Sequence, residues 1–432
     1  MTQQTLFDAG PSFQFRNRAT KAVTFQGKLS RPIHRWYRLT ASFSPQLADD
    51  IAAHFGLGAN DLVLDPFSGV GTVPLCMRLR GIPAWSVEIN PYLHFVSTVK
   101  NRAYEMPDLM EACVQPFLRH AKRAIECLPP ARGARSYLRD HWSYVPRIKN
   151  PERWWSLPNL MQLVCLRKAI TEEAVDDSVQ LDFLRMGILA ILVPVSNAKH
   201  NHVSLTFADK PQPQVDVWQV LAQKFSDMLA DIRTAAGIRC APVTVFRGNS
   251  KELAKVLPSN QKPSAVITSP PYPNRFSYAR ETRPHLFFFD FVTDPRSVGT
   301  LETDAIGGTW GKATSVLAEG VEPKNTFLAK LLAPYRAGVP VGGSLMASYV
   351  VKYFNDVYAH AEQVAAVCSP NARLAYVIGN SKFYENPLPS DELLAEVFKQ
   401  FGFRLDGIER MRRRQSKSGL YEAVVFMSRR AT

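Results

Sequence analysis

The sequence predicts an α/β fold, in which short apolar strands alternate with helices around a mostly parallel sheet. Two segments of strand length end in the acidic residues Asp65 and Glu88, and a segment with helical character follows each of them. The same alternation of strand and helix returns after residue 240. A chain of 432 residues, of which 46% are hydrophobic, can bury the large core that such a fold requires.

The hydrophobic periodicity along the chain predicts the individual elements. Apolar runs and alternation predict strands at 61–65, 83–88, 241–247, 264–269, 373–380, 404–413 and 420–428. Apolar residues at helical spacing predict helices at 45–56, 91–102, 107–127, 157–175, 179–192, 214–236, 280–291, 324–335, 345–367 and 390–401. We expect a long glycine-containing loop at 294–323 and a polar, flexible segment at 1–25.

The charge of the chain limits the classes of partner. A net charge of +14 and a pI near 9.5 favour a polyanionic partner, because phosphate neutralisation dominates non-specific nucleic-acid affinity. Taken alone, the same excess is equally typical of a solubilising surface. No run of eighteen apolar residues occurs, so we expect no membrane span, and the start of the chain lacks a signal-peptide pattern. We therefore expect a cytoplasmic protein.

The cysteines argue against a disulfide framework and against a zinc site. Six of them are widely spaced along the chain and form no Cys-x-x-Cys pair. This pattern is typical of buried thiols in a reducing compartment. His200 and His202 invite a metal reading, but no third ligand is obvious nearby, so we expect a surface loop and no metal.

A glycine turn follows the first apolar strand. Residues 65–72 read Asp-Pro-Phe-Ser-Gly-Val-Gly-Thr, and glycines at a strand-to-helix turn let the backbone approach a ligand closely. The next strand ends in Glu88, where an acid typically accepts hydrogen bonds from ribose hydroxyls. Asp65 could instead serve as a turn residue, and Glu88 could cap the helix that follows it.

A second motif follows the strand at 264–269. Residues 266–272 read Val-Ile-Thr-Ser-Pro-Pro-Tyr. Two consecutive prolines fix φ and remove two backbone donors, so the carbonyls of Ser269 and Pro270 are held rigidly as acceptors. A planar base stacked on Tyr272 would place its exocyclic amine against those acceptors. The motif therefore predicts methylation of an amino nitrogen. Ser269 is not a nucleophile in this hypothesis.

Together these motifs resemble those of the amino-group DNA methyltransferases, which use S-adenosylmethionine to methylate cytosine N4 or adenine N6. In that family Asp-Pro-Phe-x-Gly-x-Gly is the cofactor motif and [Ser/Asp/Asn]-Pro-Pro-Tyr is the catalytic motif. The Ser form found here is most typical of N4-cytosine enzymes. The resemblance implies a Rossmann-like class I methyltransferase sheet with a mostly helical insertion.

The resemblance also implies the residues of the site. The catalytic residues would be Ser269, Pro270, Pro271 and Tyr272. The cofactor-binding residues would be Phe43, Asp65, Pro66, Phe67, Gly69, Gly71, Thr72, Glu88, Asn249 and Ser269. Phe43 opens a segment similar to the one that closes over the methionine end of the cofactor. Asn249 would lie near the adenine, although a plain turn residue is an equal alternative.

The order of the parts implies three regions. Residues 1–104 would hold the cofactor half of the methyltransferase domain, and 241–432 would hold the catalytic half. Residues 105–240 would form a helical insertion that reads the DNA target. This insertion stands before the third strand rather than after it, which departs from the family pattern and leaves the subclass open. The loop at 294–323 is a second candidate for DNA contact.

Basic residues close to the motifs are candidates for DNA contact. These candidates are Lys199, His200, Arg275, Arg412, Arg413 and Arg414. For the arginine run at 410–414 the alternative is a solvated loop. A basic and aromatic stretch at 135–155 also suits DNA, although tryptophans usually fill cores.

The sequence thus predicts an S-adenosyl-L-methionine-dependent enzyme that methylates cytosine N4 in double-stranded DNA by base flipping. It would act in a restriction-modification or orphan modification role, and a separate restriction endonuclease is a candidate partner. N6-adenine methylation is the nearest alternative. RNA or protein amide methylation is a more distant one, and a non-catalytic nucleic-acid-binding protein with a degenerate core is the last.

Overall fold

The computed structural model describes residues 14–15, 30–39, 42–172, 177–199, 205–207, 215–238, 240–308, 312–337, 344–383, 386–414 and 418–429. Its strands are β1 (Gln14–Phe15), β2 (Val63–Asp65), β3 (Ala84–Glu88), β4 (Val243–Arg247), β5 (Ala265–Thr268), β6 (Arg373–Gly379), β7 (Ser381–Phe383), β8 (Asn386–Leu388), β9 (Phe403–Arg413) and β10 (Tyr421–Arg429). All the predicted strands are confirmed, with ends that differ by one or two residues.

The helices surround this sheet. They are α1 (Pro45–His54), α2 (Thr72–Leu79), α3 (Pro91–Asn101), α4 (Pro107–Glu126), α5 (Ala134–Asp140), α6 (Pro151–Trp154), α7 (Leu157–Glu172), α8 (Ser178–Ile191), α9 (Val217–Ala235), α10 (Leu253–Val256), α11 (Tyr278–Glu281), α12 (Arg283–Phe288), α13 (Pro295–Asp304), α14 (Lys312–Ala318), α15 (Thr326–Ala337), α16 (Ser344–Val367) and α17 (Ser390–Lys399). Short 3-10 helices lie at His34–Trp36, Ala131–Gly133, Trp142–Tyr144 and Ser250–Glu252.

The main sheet has the order β1-β9-β10-β6-β5-β2-β3-β4. Neighbouring strands from β4 to β6 are parallel, whereas β10 is antiparallel to both β6 and β9. The chain runs from β2 outward to β4 and then returns to β5 on the other side of β2. The strand order therefore reverses between β2 and β5, which is where ligands bind in open α/β sheets. The predicted Rossmann-like α/β sheet is confirmed.

Side chains that alternate along the strands build two separate core layers. Val63 and Ile267 pack with α1 and α2 on one face of the sheet. Leu64 and Val266 face the other side and pack with α16 and α17. Each Val or Leu that is fully buried in this way contributes roughly 1.5–3 kcal/mol. The two layers hold the central strands between helices on both faces.

Residues between β3 and β4 are mostly helical, as predicted. Helices α4, α7, α8 and α9 share a third apolar core, which also includes residues of α3 and α12. Trp155 is fully buried there, and its Nε1 donates to the Leu192 carbonyl at 2.9 Å. Phe287 and Phe288 of α12 are fully buried in the same core.

One local prediction is wrong. The segment expected to be a loop at 294–323 contains α13 and α14, because Asp294 accepts from Arg296 N at the start of α13 and because Val298 and Leu317 are buried by tertiary packing. Of the segment 1–25, expected to be polar and flexible, the structure describes Gln14 and Phe15, which pair in parallel with β9. The rest of that segment lies outside the described residues. Among the helices that the structure describes, none combines the length and the apolar character needed to cross a membrane.

Candidate active site

The two sequence motifs lie next to each other where the strand order reverses. Strands β2 and β5 are neighbours, with Val63 opposite Ala265, so both motifs leave the sheet at the same edge. Thr268 Oγ1 donates a hydrogen bond of 2.6 Å to Asp65 Oδ1. The last residues of these two strands are therefore bound directly to each other, although 203 positions separate them in the chain.

Asp65 lies buried at the end of β2. Besides the bond from Thr268, its Oδ1 accepts from Phe67 N at 3.1 Å. Burial raises the pKa of this carboxyl to about 7, while the hydrogen bonds from Thr268 and Phe67 act in the opposite direction. Asp65 thus holds the turn that follows β2, which is the structural role expected of an aspartate at a strand end.

Glu88 joins the glycine turn to the end of β3. Its Oε2 accepts from Gly69 N at 2.7 Å, and its Oε1 accepts from Asn90 N at 2.8 Å. Burial raises the pKa of Glu88 to about 7, against the effect of these backbone donors. The N-cap of α3 is Asn90, whose Oδ1 accepts from Tyr92 N. Asn90 therefore caps this helix, and Glu88 binds the backbone N–H of that cap residue.

The glycine turn is shaped by close packing against α3. Gly71 has a φ of 72°, and a methyl group added to it would lie 2.5 Å from Ser97 Oγ and 2.7 Å from Asn101 Nδ2. Gly69 has a φ of 51°. Because residues other than glycine rarely adopt such φ angles, both positions favour glycine. At position 71 there is also no room for a Cβ atom.

One face of α3 holds the glycine turn in place. Ser97 Oγ lies 2.8 Å from Ser68 Oγ, and Lys100 Nζ donates to the Val70 carbonyl at 2.8 Å. Lys100 is fully buried, and burial lowers its pKa to about 7. Our sequence analysis missed these residues. The signal that could have found them is the presence of polar residues three positions apart within an apolar helix.

The other predicted cofactor residues lie around this turn. Phe43 is partly buried beside the core of α1, and Pro66 is buried. The Phe67 ring lies 4.8 Å from the ring of His360 in α16. Thr72 begins α2, and its buried hydroxyl has no hydrogen-bond partner in the described part of the chain.

Asn249 follows β4 and begins a 3-10 helix. Its Oδ1 accepts from Lys251 N at 3.0 Å, and its Nδ2 donates to the Asp304 carbonyl at 3.4 Å. The first bond is that of a helix cap, and the second joins Asn249 to the last residue of α13. A role beside an adenine ring remains a prediction.

The Ser-Pro-Pro-Tyr segment is anchored to β6 and to α16. Ser269 Oγ donates to the Val377 carbonyl at 3.0 Å, and Tyr353 Oη donates to the Pro271 carbonyl at 2.8 Å. Tyr272 as a whole residue is partly exposed, whereas its hydroxyl is buried. This burial raises the pKa of the hydroxyl well above its ordinary value. Tyr272 therefore remains neutral at physiological pH. Sequence analysis did not find Tyr353, which lies 82 positions away.

Arg275 follows the motif in a strained conformation. Its φ is 60°, in the left-handed region that costs a residue with a side chain roughly 1–3 kcal/mol. Its backbone N donates to Tyr349 Oη at 3.3 Å, so a second tyrosine of α16 holds this turn. The Arg275 side chain is exposed beside the candidate site.

The arginines of the last hairpin differ from one another. Arg412 donates to Glu422 Oε2 at 2.9 Å and is partly buried, whereas Arg413 is exposed. Arg414 Nη1 donates to the Asn380 carbonyl at 3.1 Å, just beyond the end of β6. The pairing of Arg412 with an acid reduces the charge that it can offer to a phosphate.

The remaining candidates for DNA contact are scattered. Lys199 is exposed, and its N donates to the Thr206 carbonyl at 2.7 Å. His200 lies outside the described residues, as does His202. In the basic and aromatic stretch at 135–155, Trp154 and Trp155 are buried. For these two residues the alternative that tryptophans fill the core is confirmed. Trp142 is 72% exposed.

Comparison with known proteins finds similarity to Type II methyltransferases. No protein-family model matches it. It is 23% identical over 438 residues to the Type II methyltransferase M.BsoBI of Geobacillus stearothermophilus, which covers 92% of this chain and 84% of the relative. The chain is similar to Type II methyltransferases along most of its length. Methyltransferases of this kind use S-adenosyl-L-methionine as the methyl donor.

A second relative covers a smaller part. The Type II methyltransferase M.AvaI of Anabaena variabilis is 23% identical over 274 residues, which cover 60% of this chain and 54% of that protein. Among solved structures, TrmN from Thermus thermophilus matches with a TM-score of 0.29 and 8% identity, over 90% of this chain and 49% of that one. The rRNA methyltransferase aviRa from Streptomyces viridochromogenes matches with a TM-score of 0.31 and 12% identity, over 90% of this chain and 85% of that one. These scores are too low to bear on function.

Proposed function

We propose that this protein is an S-adenosyl-L-methionine-dependent DNA methyltransferase that methylates the N4 amine of cytosine in duplex DNA. The observation that carries the proposal is the hydrogen bond between Thr268 and Asp65, which joins the glycine turn to the Ser-Pro-Pro-Tyr segment at the sheet reversal. A donor site and an acceptor site for a methyl group must lie side by side, and these two motifs do. Similarity to Type II methyltransferases supports the same activity.

The residues around the glycine turn suit S-adenosyl-L-methionine. The turn brings backbone without a Cβ atom to the sheet edge at Gly69, where an added Cβ would have only the Phe67 carbonyl within 4 Å, and Gly71 lets the same turn pack against α3. Thr72 offers a buried hydroxyl that has no described partner. We propose that Glu88 accepts from the ribose hydroxyls and that Asp65 and Phe67 shape the pocket, with Phe43 and Asn249 at its two ends. When bound, the cofactor supplies an electrophilic methyl group.

The second half of the site would hold the target base. Tyr272 would stack on the flipped cytosine, and base–aromatic stacking contributes about 1–3 kcal/mol per base. The carbonyls of Ser269 and Pro270 would accept the N4 hydrogens and orient the nitrogen lone pair. An exocyclic amine needs this positioning rather than a covalent intermediate, and alignment of reacting groups accounts for most of the rate. Extrusion of the base costs a few kcal/mol.

We further propose that the insertion at 105–240 reads the DNA sequence, between the cofactor half at 1–104 and the catalytic half at 241–432. Helices α13 and α14 would form a second contact surface in place of the predicted loop. A net charge of +14 suits the duplex backbone. Arg275 and Arg413 are exposed whereas Arg412 is partly buried, so the first two are better placed to reach a phosphate. Lys199 and His200 complete the proposed set.

The experiment that tests this proposal is methyl transfer from labelled S-adenosyl-L-methionine to unmethylated genomic DNA. The product is digested to nucleosides and identified by mass spectrometry. We expect N4-methylcytosine. N6-methyladenine would keep the site and change the base, whereas absence of labelled DNA from a protein that binds the cofactor would direct attention to RNA and protein substrates. A restriction endonuclease acting with this protein would cut DNA of the sequence that it methylates.

A further inference from the structure

The end of β6 brings an arginine of the last hairpin to the stacking tyrosine. A methyl group built on Gly379 would lie 2.9 Å from Arg414 Nη1 and 2.9 Å from Cδ2 of Tyr272. The guanidinium and the edge of the aromatic ring therefore meet over the same glycine, where no side chain could fit. Arg414 also lies close enough to influence the Tyr272 phenol electrostatically. The arginine is thus part of the surroundings of the proposed base site.

The hairpin is fixed at this point by hydrogen bonds to Asn380. Asn380 Nδ2 donates to the Gly419 carbonyl at 2.9 Å, and its Oδ1 accepts from Tyr421 N at 2.7 Å. Arg414 N donates to the Leu420 carbonyl at 2.7 Å. Because Asn380 holds the residues on both sides of Leu420, and Leu420 holds the Arg414 N–H, the Arg414 backbone is held in one place. Such preorganisation is what a recognition residue requires.

The guanidinium has donors to spare. In the described part of the chain it donates to the Asn380 carbonyl, which uses one of its five N–H groups. Arg412, two residues earlier, is instead bound to Glu422. The donors of Arg414 therefore suit a ligand that presents acceptors at the edge of a ring lying on Tyr272.

We propose that Arg414 is a specificity-determining residue that donates hydrogen bonds to O2 and N3 of the flipped cytosine. This inference rests on the proposed function. A cytosine whose N4 faces Ser269 and Pro270 presents along the same edge the acceptors N3 and O2. Adenine presents N1 but carries a C–H where cytosine has its carbonyl O2. A guanidinium, which only donates, therefore favours cytosine over adenine.

The test compares Arg414→Gln and Arg414→Lys with the wild-type protein, using Arg404→Gln as the matched control. Arg404 lies in the same hairpin at the opposite end of β9, is exposed and is paired with Asp406, so its removal takes away the same charge. We measure kcat/KM for N4-methylcytosine formation, the Kd for S-adenosyl-L-methionine, and the Kd for non-target duplex at two salt concentrations.

We expect Arg414→Gln to lower kcat/KM by about 10–100-fold, the range that one arginine–base contact supplies. The cofactor Kd and the non-target DNA Kd should match those of Arg404→Gln. Arg414→Lys should recover only part of the loss, because a single ammonium cannot donate from two parallel N–H groups. It also serves as the test protein if the glutamine variant does not fold.

Two results would overturn the inference. One is unchanged kcat/KM in both Arg414 variants. The other is a loss that follows weaker non-target binding with a smaller salt dependence, which would identify a phosphate contact. Failure of the proposed function is seen separately, because the wild-type protein would then form no N4-methylcytosine.

Discussion

Tyr272 depends on residues that lie far from it in the sequence. Tyr353 holds the Pro271 carbonyl, Tyr349 holds the backbone of Arg275, and Gly379 leaves the space into which the Tyr272 ring packs. The Tyr272 ring is therefore held in place in the absence of a ligand, as its proposed role as a stacking platform for a base requires. A rigid platform loses little conformational entropy when it stacks on a ligand.

Tyr272→Ala should remove the stacking surface. We expect the loss of about 1–3 kcal/mol of base binding, and with it most of the methyl transfer at subsaturating DNA. Tyr272→Phe keeps the ring and is the control that should retain most of the activity. Methyl transfer and cofactor binding by calorimetry are the measurements. Full activity in the alanine variant would remove Tyr272 from the site.

Tyr353→Phe should loosen the motif without emptying the core. The substitution deletes the hydroxyl that donates to the Pro271 carbonyl and keeps the buried ring, so we expect a loss of about 0.5–1.5 kcal/mol in the free energy of unfolding. Because this residue positions the motif, kcat should fall while the Kd for S-adenosyl-L-methionine stays the same. Urea unfolding and steady-state kinetics measure the two effects. A change in cofactor Kd with unchanged kcat would contradict this assignment.

At the scale of elements, α3 and the glycine turn form one unit. Ser97 and Lys100 bind Ser68 and the Val70 carbonyl, and the packing is close enough that Gly71 cannot carry a side chain. Glu88 ties the same turn to the end of β3. The geometry of the turn is therefore imposed from both sides by regular secondary structure.

Gly71→Ala tests this unit. The new methyl group would meet Ser97 and Asn101 at 2.5 and 2.7 Å, in addition to the strain of a φ of 72°. Gly56→Ala is the matched control, because Gly56 has a φ of 59° with nothing within 4 Å of the added carbon. Strain alone costs about 1–2 kcal/mol, so we expect Gly71→Ala to lose more stability than the control and to weaken cofactor binding. Equal losses of stability in both variants and unchanged cofactor binding would show that the turn tolerates the side chain.

At the scale of the whole molecule, buried charges make stability depend on pH. The pKa values of Asp65 and Glu88 are raised to about 7, so their carboxyls are easier to bury when protonated. Burial of the two ionised carboxylates lowers the free energy of unfolding. This loss is absent below the ordinary pKa values near 4 and is complete above pH 7. Lys100 acts oppositely. Its pKa is lowered to about 7, so the loss of stability from burying its ammonium is complete below pH 7 and disappears toward pH 10.5. These groups together predict a minimum of stability near pH 7.

Glu88→Gln should weaken the dependence of stability on pH below pH 7. Between pH 4.5 and 7 the wild-type free energy of unfolding should fall, by roughly 3 kcal/mol for this carboxyl alone, because one pKa unit corresponds to about 1.4 kcal/mol. The glutamine variant should show a smaller fall over the same range. Urea unfolding at pH 5 and pH 7.5 measures the difference. Parallel curves for the two proteins would mean that Glu88 is not the group responsible.

The helices at α13 and α14 show why local patterns failed in places. Gly299 and the polar residues of this segment weaken the helical pattern, and burial of Val298 and Leu317 by other elements compensates for it. Conversely, the basic run at 410–414 reads as a uniform charge cluster. The structure separates it into the paired Arg412, the exposed Arg413 and the recessed Arg414.

The sequence by itself determined the α/β class, the positions of the strands, and the two motifs, because apolar periodicity, glycine turns and consecutive prolines act locally. Only the tertiary structure decided that Thr268 binds Asp65, that Tyr353 holds Pro271, and that Arg414 meets Tyr272 over Gly379. These contacts join segments far apart in the chain. They depend on the order of strands in the sheet, which no short stretch of sequence encodes.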